Sequence, residues 1–455
     1  MNYYPAADGW SKMWTDWNPA VLKKDFALIR SLGANTVRIT VFPYTFGWPD
    51  ISARMAARFA ETLKLAASAG LGVQLTLFDW WDAFHHLGQS QAWMKTLLRP
   101  YASDPEIQLV EIKNEVTPSD PDEVAWLRAV LPTLRAVLPR TPTTVSVSSS
   151  EGPRGFVQLR QELAGAPIDV ADIHFYGGAG AAYSWMLAAK RAAGSLPLFV
   201  GEIGFPVSNG SNASGGGSNA SGESPEAADL AQAHWFSVVF AAARAAGVAT
   251  PAPWTLYDFQ PGSLPQRAQS HNASDFGLYS ATGQALPSAW IVRQAFGGGN
   301  NILNLSLSLG GRNDMLAWTP YLPTQGTLAY DPDVGYPRAG SVRLSGTRLT
   351  RAGAPSFYQV PADPAIPGQL WNVSVWAKGI KVNGTAQAAL SWFDSTGSYI
   401  GGTSSKALPH GNPQWTQLAL QTRVPPNATS VLVSLASIGV AGTVWFADVH
   451  IEVTP

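Results

Sequence analysis

Two glutamates carry the chemistry that this sequence makes available. The first closes the run Glu111-Ile112-Lys113-Asn114-Glu115, and the second sits in Val200-Gly201-Glu202-Ile203-Gly204-Phe205. In each, an apolar, strand-like segment gives way to a loop at the carboxylate, the place from which parallel α/β barrels present reactive groups. Two carboxylates on different strands suit glycoside hydrolysis: one protonates the leaving oxygen, and the other attacks the anomeric carbon from about 5 to 5.5 Å away. Either glutamate alone has a plainer reading as an exposed loop-end carboxylate. The pair, at matching strand ends, is what favours chemistry.

Positioning such a pair needs a rigid scaffold, and the first 298 residues have the pattern of one. Short β-branched runs alternate with longer helical stretches, which predicts βαβ units and a parallel sheet. Eight strands are expected: Asn2 to Tyr4, Thr36 to Phe42, Gly72 to Phe78, Leu109 to Asn114, Thr143 to Ser148, Val170 to Phe175, Leu198 to Gly201, and Pro253 to Leu256. Between them, Pro19 to Leu32, Ile51 to Ala69, Pro121 to Leu138 and Glu226 to Ala246 repeat Leu and Ala at helical spacing. Eight such units close a (β/α)8 barrel, in which Glu115 ends the fourth strand and Glu202 the seventh. Glu111 shares the parity of Glu115 and should also point inward, where a charge needs a partner. Its expected role is supporting.

Arg38, within Thr36-Val37-Arg38-Ile39-Thr40, is a second charge inside a β-branched strand, and a buried guanidinium persists only when paired with carboxylates. Composition narrows the partners. Charged residues are 13% of the 455, about half the usual share, and the net charge of −1 comes without any block of like charges. The electrostatic footprint of a nucleic-acid binder is therefore missing. No apolar run reaches the roughly 20 residues that span a bilayer. The 18 Trp and 13 Tyr instead suit surfaces that stack on sugar rings.

Cysteine is absent, which excludes disulfides, thiolate nucleophiles and Cys-based zinc sites. No His-Glu-x-x-His, phosphate-loop or dinucleotide motif occurs, so no cofactor is implied, and no Gly-x-Ser-x-Gly elbow supports serine chemistry. Export is the expectation for the compartment. Asn2-Tyr3-Tyr4 already reads as a strand, and eight Asn-x-Ser/Thr sequons, at Asn209, Asn212, Asn219, Asn272, Asn304, Asn372, Asn383 and Asn427, suit the processed form of a secreted chain. Three of them fall in the Gly/Ser/Asn-rich stretch Ser208 to Gly222, expected as a mobile loop beside Glu202: a lid, or a tolerated surface insertion.

A final helix, Pro287 to Phe296, runs into Gly297-Gly298-Gly299, which ends the barrel at 298 and opens a linker over 299–309. From 310 to 455 the texture changes to short alternating strands, such as Trp371 to Trp376, Ala389 to Phe393, Ser430 to Leu435 and Thr443 to Val449. That pattern predicts an antiparallel β-sandwich, a jelly roll.

Residues 1 to about 298 resemble the clan of retaining (β/α)8 glycoside hydrolases typified by the family 5 cellulases and mannanases, on the Glu-Ile-Lys-Asn-Glu run at 111–115 and Val-Gly-Glu-Ile-Gly-Phe at 200–205. The resemblance implies that Glu115 is the acid/base, Glu202 the nucleophile, and Asn114 a donor to the sugar 2-hydroxyl. It also implies that Arg38 lies near the nucleophile, with an ion pair to Glu111 as the alternative. His174-Phe175-Tyr176 is similar to the clan's His-x-Tyr, where the histidine binds sugar and the tyrosine hydroxyl contacts the nucleophile; a satisfied polar strand end is the other reading. Trp254 matches the clan's aromatic floor, with core packing as its alternative, and Tyr257 and Asp258 continue that rim. Asp79-Trp80-Trp81 closes strand three at the same rim and offers subsite residues. The clan's histidine after strand three has no match there, since His85-His86 come later.

Residues 310 to 455 resemble the jelly-roll carbohydrate-binding modules of polysaccharide hydrolases, on Gly340 to Gly346 and Gly442 to Val449. Trp376, Trp392, Tyr399 and Trp415 are the candidates for stacking on sugars, against the usual reading of alternating aromatics as core. Asp448 is a lone carboxylate, too little for the calcium that some relatives hold. The expected function is a secreted retaining glycoside hydrolase of β-glucan or β-mannan polysaccharide. The alternatives are an exo-acting β-glycosidase on short glycosides, a barrel that binds sugar without turnover, and a structural surface protein.

Overall fold

The computed structural model describes residues 1–207, 225–269, 274–297, 307, 310–311, 314–315, 317–351, 353–359, 361 and 365–454. The 208–222 loop lies outside them, with its reading as a lid, and so does all of the 299–309 linker except Leu307. Within the described residues, no helix is long and apolar enough to cross a membrane.

Six strands form one parallel sheet in sequence order: β1 Thr36–Thr40, β2 Gly72–Thr76, β3 Ile107–Glu111, β4 Thr143–Val147, β5 Val170–Ile173 and β6 Leu198–Phe199. Two further segments complete the ring by single bridges. Asn2 pairs with Arg38 of β1, and Ile203 pairs with both Phe175 and Pro253. The Asn2 N–H donates to the Pro253 carbonyl at 3.1 Å, which joins the eighth segment to the first. Every residue of β2 and of β4 is buried, as befits strands covered on both faces.

The flanking helices begin where side chains can cap them. Asn18 accepts from the Ala20 and Val21 N–H groups ahead of Pro19–Ser31, and Asp120 accepts from Asp122 and Glu123 ahead of Pro121–Val137, each with proline in the first turn. Three other helices, Leu87–Leu98, Gly152–Glu162 and Ala182–Ala193, fill the crossovers after β2, β4 and β5. Strand ends differ from the expected ones in a way that matters for chemistry. β3 runs over Ile107–Glu111 and not to Asn114, because the chain turns out of the sheet. Glu115 then adopts φ 46°, a left-handed conformation uncommon for a glutamate, and donates its N–H to Ser146 Oγ at 2.8 Å.

The chain divides into two compact units: Met1–Glu223 with Val248–Phe296, and Gly297–Pro455 with Ser224–Gly247. The helix Pro225–Ala245, expected within the barrel's alternation, goes with the second unit on this division.

The second unit holds two five-stranded antiparallel sheets. One orders Thr327–Asp331, Ser341–Ser345, Thr443–Thr454, Leu370–Ile380 and Thr416–Arg423; the other orders Tyr399–Ser404, Thr385–Phe393, Ser430–Ile438, Ser356–Gln359 and Thr319–Tyr321. Strict alternation sends Trp371, Val373, Val375 and Ala377 inward from the first sheet, and Ala386, Ala388, Leu390 and Trp392 inward from the second. Trp371 and Trp392 meet edge to face, with ring centroids 5.8 Å apart. Trp392, 1% exposed, is therefore core and not a sugar platform. Asp448 belongs to no cluster of three ligand-type side chains among the described residues.

Candidate active site

Arg38 is the hub of the barrel's mouth. Its strand position points the guanidinium inward, where it is 4% exposed and every N–H group meets an acceptor. Nε donates to Thr76 Oγ1 and to Glu111 Oε2, both at 2.9 Å. Nη2 donates to Glu111 Oε2 at 2.6 Å and to Asn114 Oδ1 at 2.7 Å. Nη1 donates to Asn2 Oδ1 at 2.9 Å and to Glu202 Oε1. The two sequence readings of Arg38, near Glu202 or paired with Glu111, therefore hold together, because a planar fork can serve two carboxylates at once. With its Oδ1 engaged by Arg38, Asn114 presents its amide NH2 as a donor.

Glu202 receives a second donor on its other oxygen: the Tyr176 hydroxyl donates to Oε2 at 2.6 Å. His174, fully buried, places Nδ1 2.9 Å from Glu115 Oε1 and 3.4 Å from Glu202 Oε2. One oxygen of each glutamate lies within 4.8 Å of the other and of the imidazole nitrogen. Glu202 is 5% exposed, whereas Asn114, Glu115, Tyr176, Trp80 and Trp254 are half-buried, so the pair sits at a surface that opens to solvent.

The charges explain one another. Burial by itself would push the Glu115 carboxyl up, but the hydrogen bond and charge of His174, together with Arg38, hold it below its usual value. Burial likewise disfavours a charged His174; Glu202, Glu115 and Asp172 outweigh it and raise the imidazole to about 9. Asp172 and Asp79 are pushed up to about 7 and about 6, in both cases chiefly by burial. The Tyr176 hydroxyl is held well above its usual value by burial and then by Glu202, and so stays a donor.

Aromatic rings line one side. Trp254 meets Tyr4 and Trp10 edge to face at 5.8 and 5.4 Å, and Trp10 stacks between Tyr4 and Trp80 at 5.2 and 6.4 Å. Phe42 packs on Trp80 at 5.2 Å. Asp79 accepts from the Trp80 N–H at 3.0 Å. The structure thus gathers Arg38, Asn114, Glu115, His174, Tyr176 and Glu202 into one bonded network, and joins Trp80 and Trp254 through Trp10. Tyr257 is turned away from this network, its hydroxyl donating to Asp25 at 2.8 Å.

Sequence reasoning missed Asn2, Trp10, Thr76 and Asp172. For Asp172 a signal existed: like Arg38, it is a charge inside an apolar strand, at the parity of His174. Asn2 and Thr76 carry no such mark, and only the closed ring shows them at Arg38.

Two sets of side chains are spaced closely enough for a small ion: Glu111 with Asp172 and His174, and Glu115 with His174 and Glu202. In the second set Arg38 bonds Glu202 and His174 bonds Glu115; in the first Arg38 bonds Glu111 Oε2, while Glu111 Oε1, Asp172 Oδ2 and His174 Nε2 have no hydrogen-bond partner.

Comparison with curated protein sequences gives no match. Among solved structures, the chain is similar to the exo-beta-1,4-mannosidase Op5Man5 from Opitutaceae bacterium strain TAV5, at 20% identity and a TM-score of 0.51, over 65% of this chain and 58% of that one. It therefore spans less than two thirds of that enzyme's length. It is also similar to a GH5_18 protein from Streptomyces cattleya in complex with GlcNAc, at 17% identity and a TM-score of 0.50, over 64% of this chain and 78% of that one. A GH5_18 protein from Bifidobacterium longum subsp. infantis matches at 16% identity and a TM-score of 0.50, over 68% and 80%. At these identities the likeness is one of fold. Residues 2–247, more than half the chain and spanning both glutamates, match the cellulase family, and the chain accordingly belongs to glycosyl hydrolase family 5.

Proposed function

We propose that this chain is a retaining β-glycosidase that cleaves β-linked glucan or mannan polysaccharide by double displacement, with Glu202 as nucleophile and Glu115 as acid/base. The observation that carries the reading is the approach of the two carboxylates to within 4.8 Å between oxygens. That suits direct attack, since an inverting pair stands roughly 6.5 to 9.5 Å apart to admit a water. Glu202 attacks the anomeric carbon while Glu115 gives its proton to the departing oxygen. Glu115 then takes a proton from water, whose oxygen displaces Glu202 and releases the sugar with its configuration retained. Arg38 and Tyr176, one on each Glu202 oxygen, orient the nucleophile; the Asn114 amide is placed to donate to the 2-hydroxyl.

Proton NMR of the first product formed tests this reading. The β-anomer is expected first, and an α-anomer appearing first overturns it. A panel of β-glucans, mannans and aryl glycosides separates polymer cleavage from the alternative, exo action on short glycosides; the Opitutaceae protein is named an exo-beta-1,4-mannosidase.

For Glu115→Gln, the first step on aryl glycosides with good leaving groups is expected to be nearly preserved, while natural sugars lose about 10²- to 10⁴-fold, the worth of general acid help. Single-turnover rates check it. Equal losses on both substrates would remove Glu115 from the acid role.

The sandwich we read as a polymer-binding module of an exported enzyme. Trp376 and Trp415 are half-buried on its surface and gather around Tyr336, 4.5 and 5.9 Å from its ring, while Tyr399 is 63% exposed. Trp376→Ala is expected to weaken retention on the polymer and leave aryl glycoside turnover intact. Trp392→Ala, in the core, should instead lower stability by about 3–5 kcal/mol. Affinity electrophoresis and calorimetry distinguish the two, and unchanged retention in Trp376→Ala would make the domain a structural appendage.

A further inference from the structure

Asp172 takes no part in the two displacement steps, yet it is fully buried in the same network. It lies on β5, two residues before His174, whose N–H continues the strand's pairing to the Val147 carbonyl, so the two side chains share the inward face. Its Oδ1 accepts the Gly201 N–H at 2.8 Å, one residue before Glu202. A Cβ on Gly201 would fall 2.5 Å from either Asp172 oxygen, so the backbone leading into Glu202 rests directly on this carboxyl. From there Oδ1 stands 4.0 Å from His174 Nε2, behind the ring whose Nδ1 faces Glu115 and Glu202. Glu111, also fully buried, offers an atom within 4.8 Å of both. Asp172 Oδ2, His174 Nε2 and Glu111 Oε1 are each without a hydrogen-bond partner in the structure.

We infer that Asp172 is a positioning residue for acid catalysis: from behind His174 it holds the charge of the imidazole ring, and with it the proton that Nδ1 passes to Glu115. This rests on the reading of Glu115 as the acid. Among the described residues, four carboxylates, Glu111, Glu115, Asp172 and Glu202, face two cationic groups here, Arg38 and His174, with the Tyr176 hydroxyl as a neutral donor. Arg38 bonds Glu111 and Glu202, which leaves His174 between Glu115 in front and Asp172 behind. Glu115 and His174 therefore share one proton. In the first step Nδ1 releases it to Glu115 Oε1 as Glu115 protonates the leaving oxygen, and His174 becomes neutral with its hydrogen on Nε2, towards Asp172. In the second step the proton that Glu115 takes from water restores the pair. An anionic Asp172 strengthens the hold on the shared proton, so its ionisation extends activity towards alkaline pH. Burial, which raises Asp172 to about 7, places that ionisation within the working range.

The test is Asp172→Asn, which keeps an acceptor for the Gly201 N–H and loses the charge. The alkaline limb of kcat/KM is expected to move to lower pH by about one pH unit or more, the usual effect of removing an opposite charge at this distance. In a His174→Asn background, Asp172→Asn should produce no further movement of that limb. A uniform loss of rate with the limb in place in the parent background would mean that Asp172 only supports the fold, and a further movement of the limb in the His174→Asn background would mean that Asp172 does not act through His174; either overturns the inference. Nitrogen NMR of the unaltered enzyme reads the same coupling without turnover or mutation stability. His174, assigned by its loss in His174→Asn, should carry protons on both ring nitrogens at pH 7, and a neutral ring there overturns the inference. Failure of the acid assignment itself shows separately, in the leaving-group dependence of Glu115→Gln.

Discussion

Glu202→Gly is expected to lose turnover by about 10⁴- to 10⁶-fold, the scale seen when a nucleophile acting as part of a unit is removed. Sodium azide should restore part of it. The removed side chain leaves space beside the anomeric carbon for a small anion, which attacks the face Glu202 would have used. Because no second displacement follows, the product is a glycosyl azide of inverted configuration, identifiable by NMR. Glu202 holds Arg38 on one oxygen and Tyr176 on the other, and both donors remain to receive the anion. Undiminished activity in Glu202→Gly would falsify the assignment. So would azide rescue that yields a product of retained configuration, because the anion would then have entered from the other face.

Arg38→Met is expected to destabilise the barrel by roughly 3–5 kcal/mol, the cost of leaving buried carboxylates without their cation. Glu111 is fully buried and Glu202 nearly so, and Arg38 bonds both. At about 2–4 °C per kcal/mol for a domain of 150–250 residues, the melting temperature should fall by about 10 °C. Calorimetry checks it. Adding Glu111→Gln should recover part of the loss, since the second change removes the charge that the first one stranded. A melting temperature within a degree of the parent's would show that Glu111 and Glu202 are compensated by other groups. Activity should fall as well, because the same guanidinium orients Glu202 and Asn114.

Much of this was legible in the residues themselves. Periodicity separates a barrel from a sandwich because strands buried on both faces read as apolar runs, as in β2 and β4, while sandwich strands alternate, as in Leu370–Ile380. Glu115 and Glu202 were visible because a glutamate at the end of an apolar strand has few structural reasons to be there. Arg38 stood out for the same reason. Asp172 carried an equal signal, a charge in an apolar strand, and shows that such a residue deserves a search for its partner even when no motif claims it.

Other features were decided by the closed ring. Whether Arg38 pairs with Glu111 or Glu202 depends on how far apart the strands hold them, and only the barrel brings β1, β3 and the segment after β6 within one guanidinium's span. Asn2 and Thr76 are ordinary strand residues in the sequence, and they become acceptors for the hub because the ring closes there. Trp392 and Trp376 look alike in an alternating strand; which one is core follows from the face that meets the opposite sheet, since Trp392 points at Trp371. Residue type and spacing thus determined which groups could react and which scaffold carries them. Distance, burial and partner, on which the proton of His174 and the orientation of Glu202 depend, are properties of residues far apart in the chain, and only tertiary packing sets them.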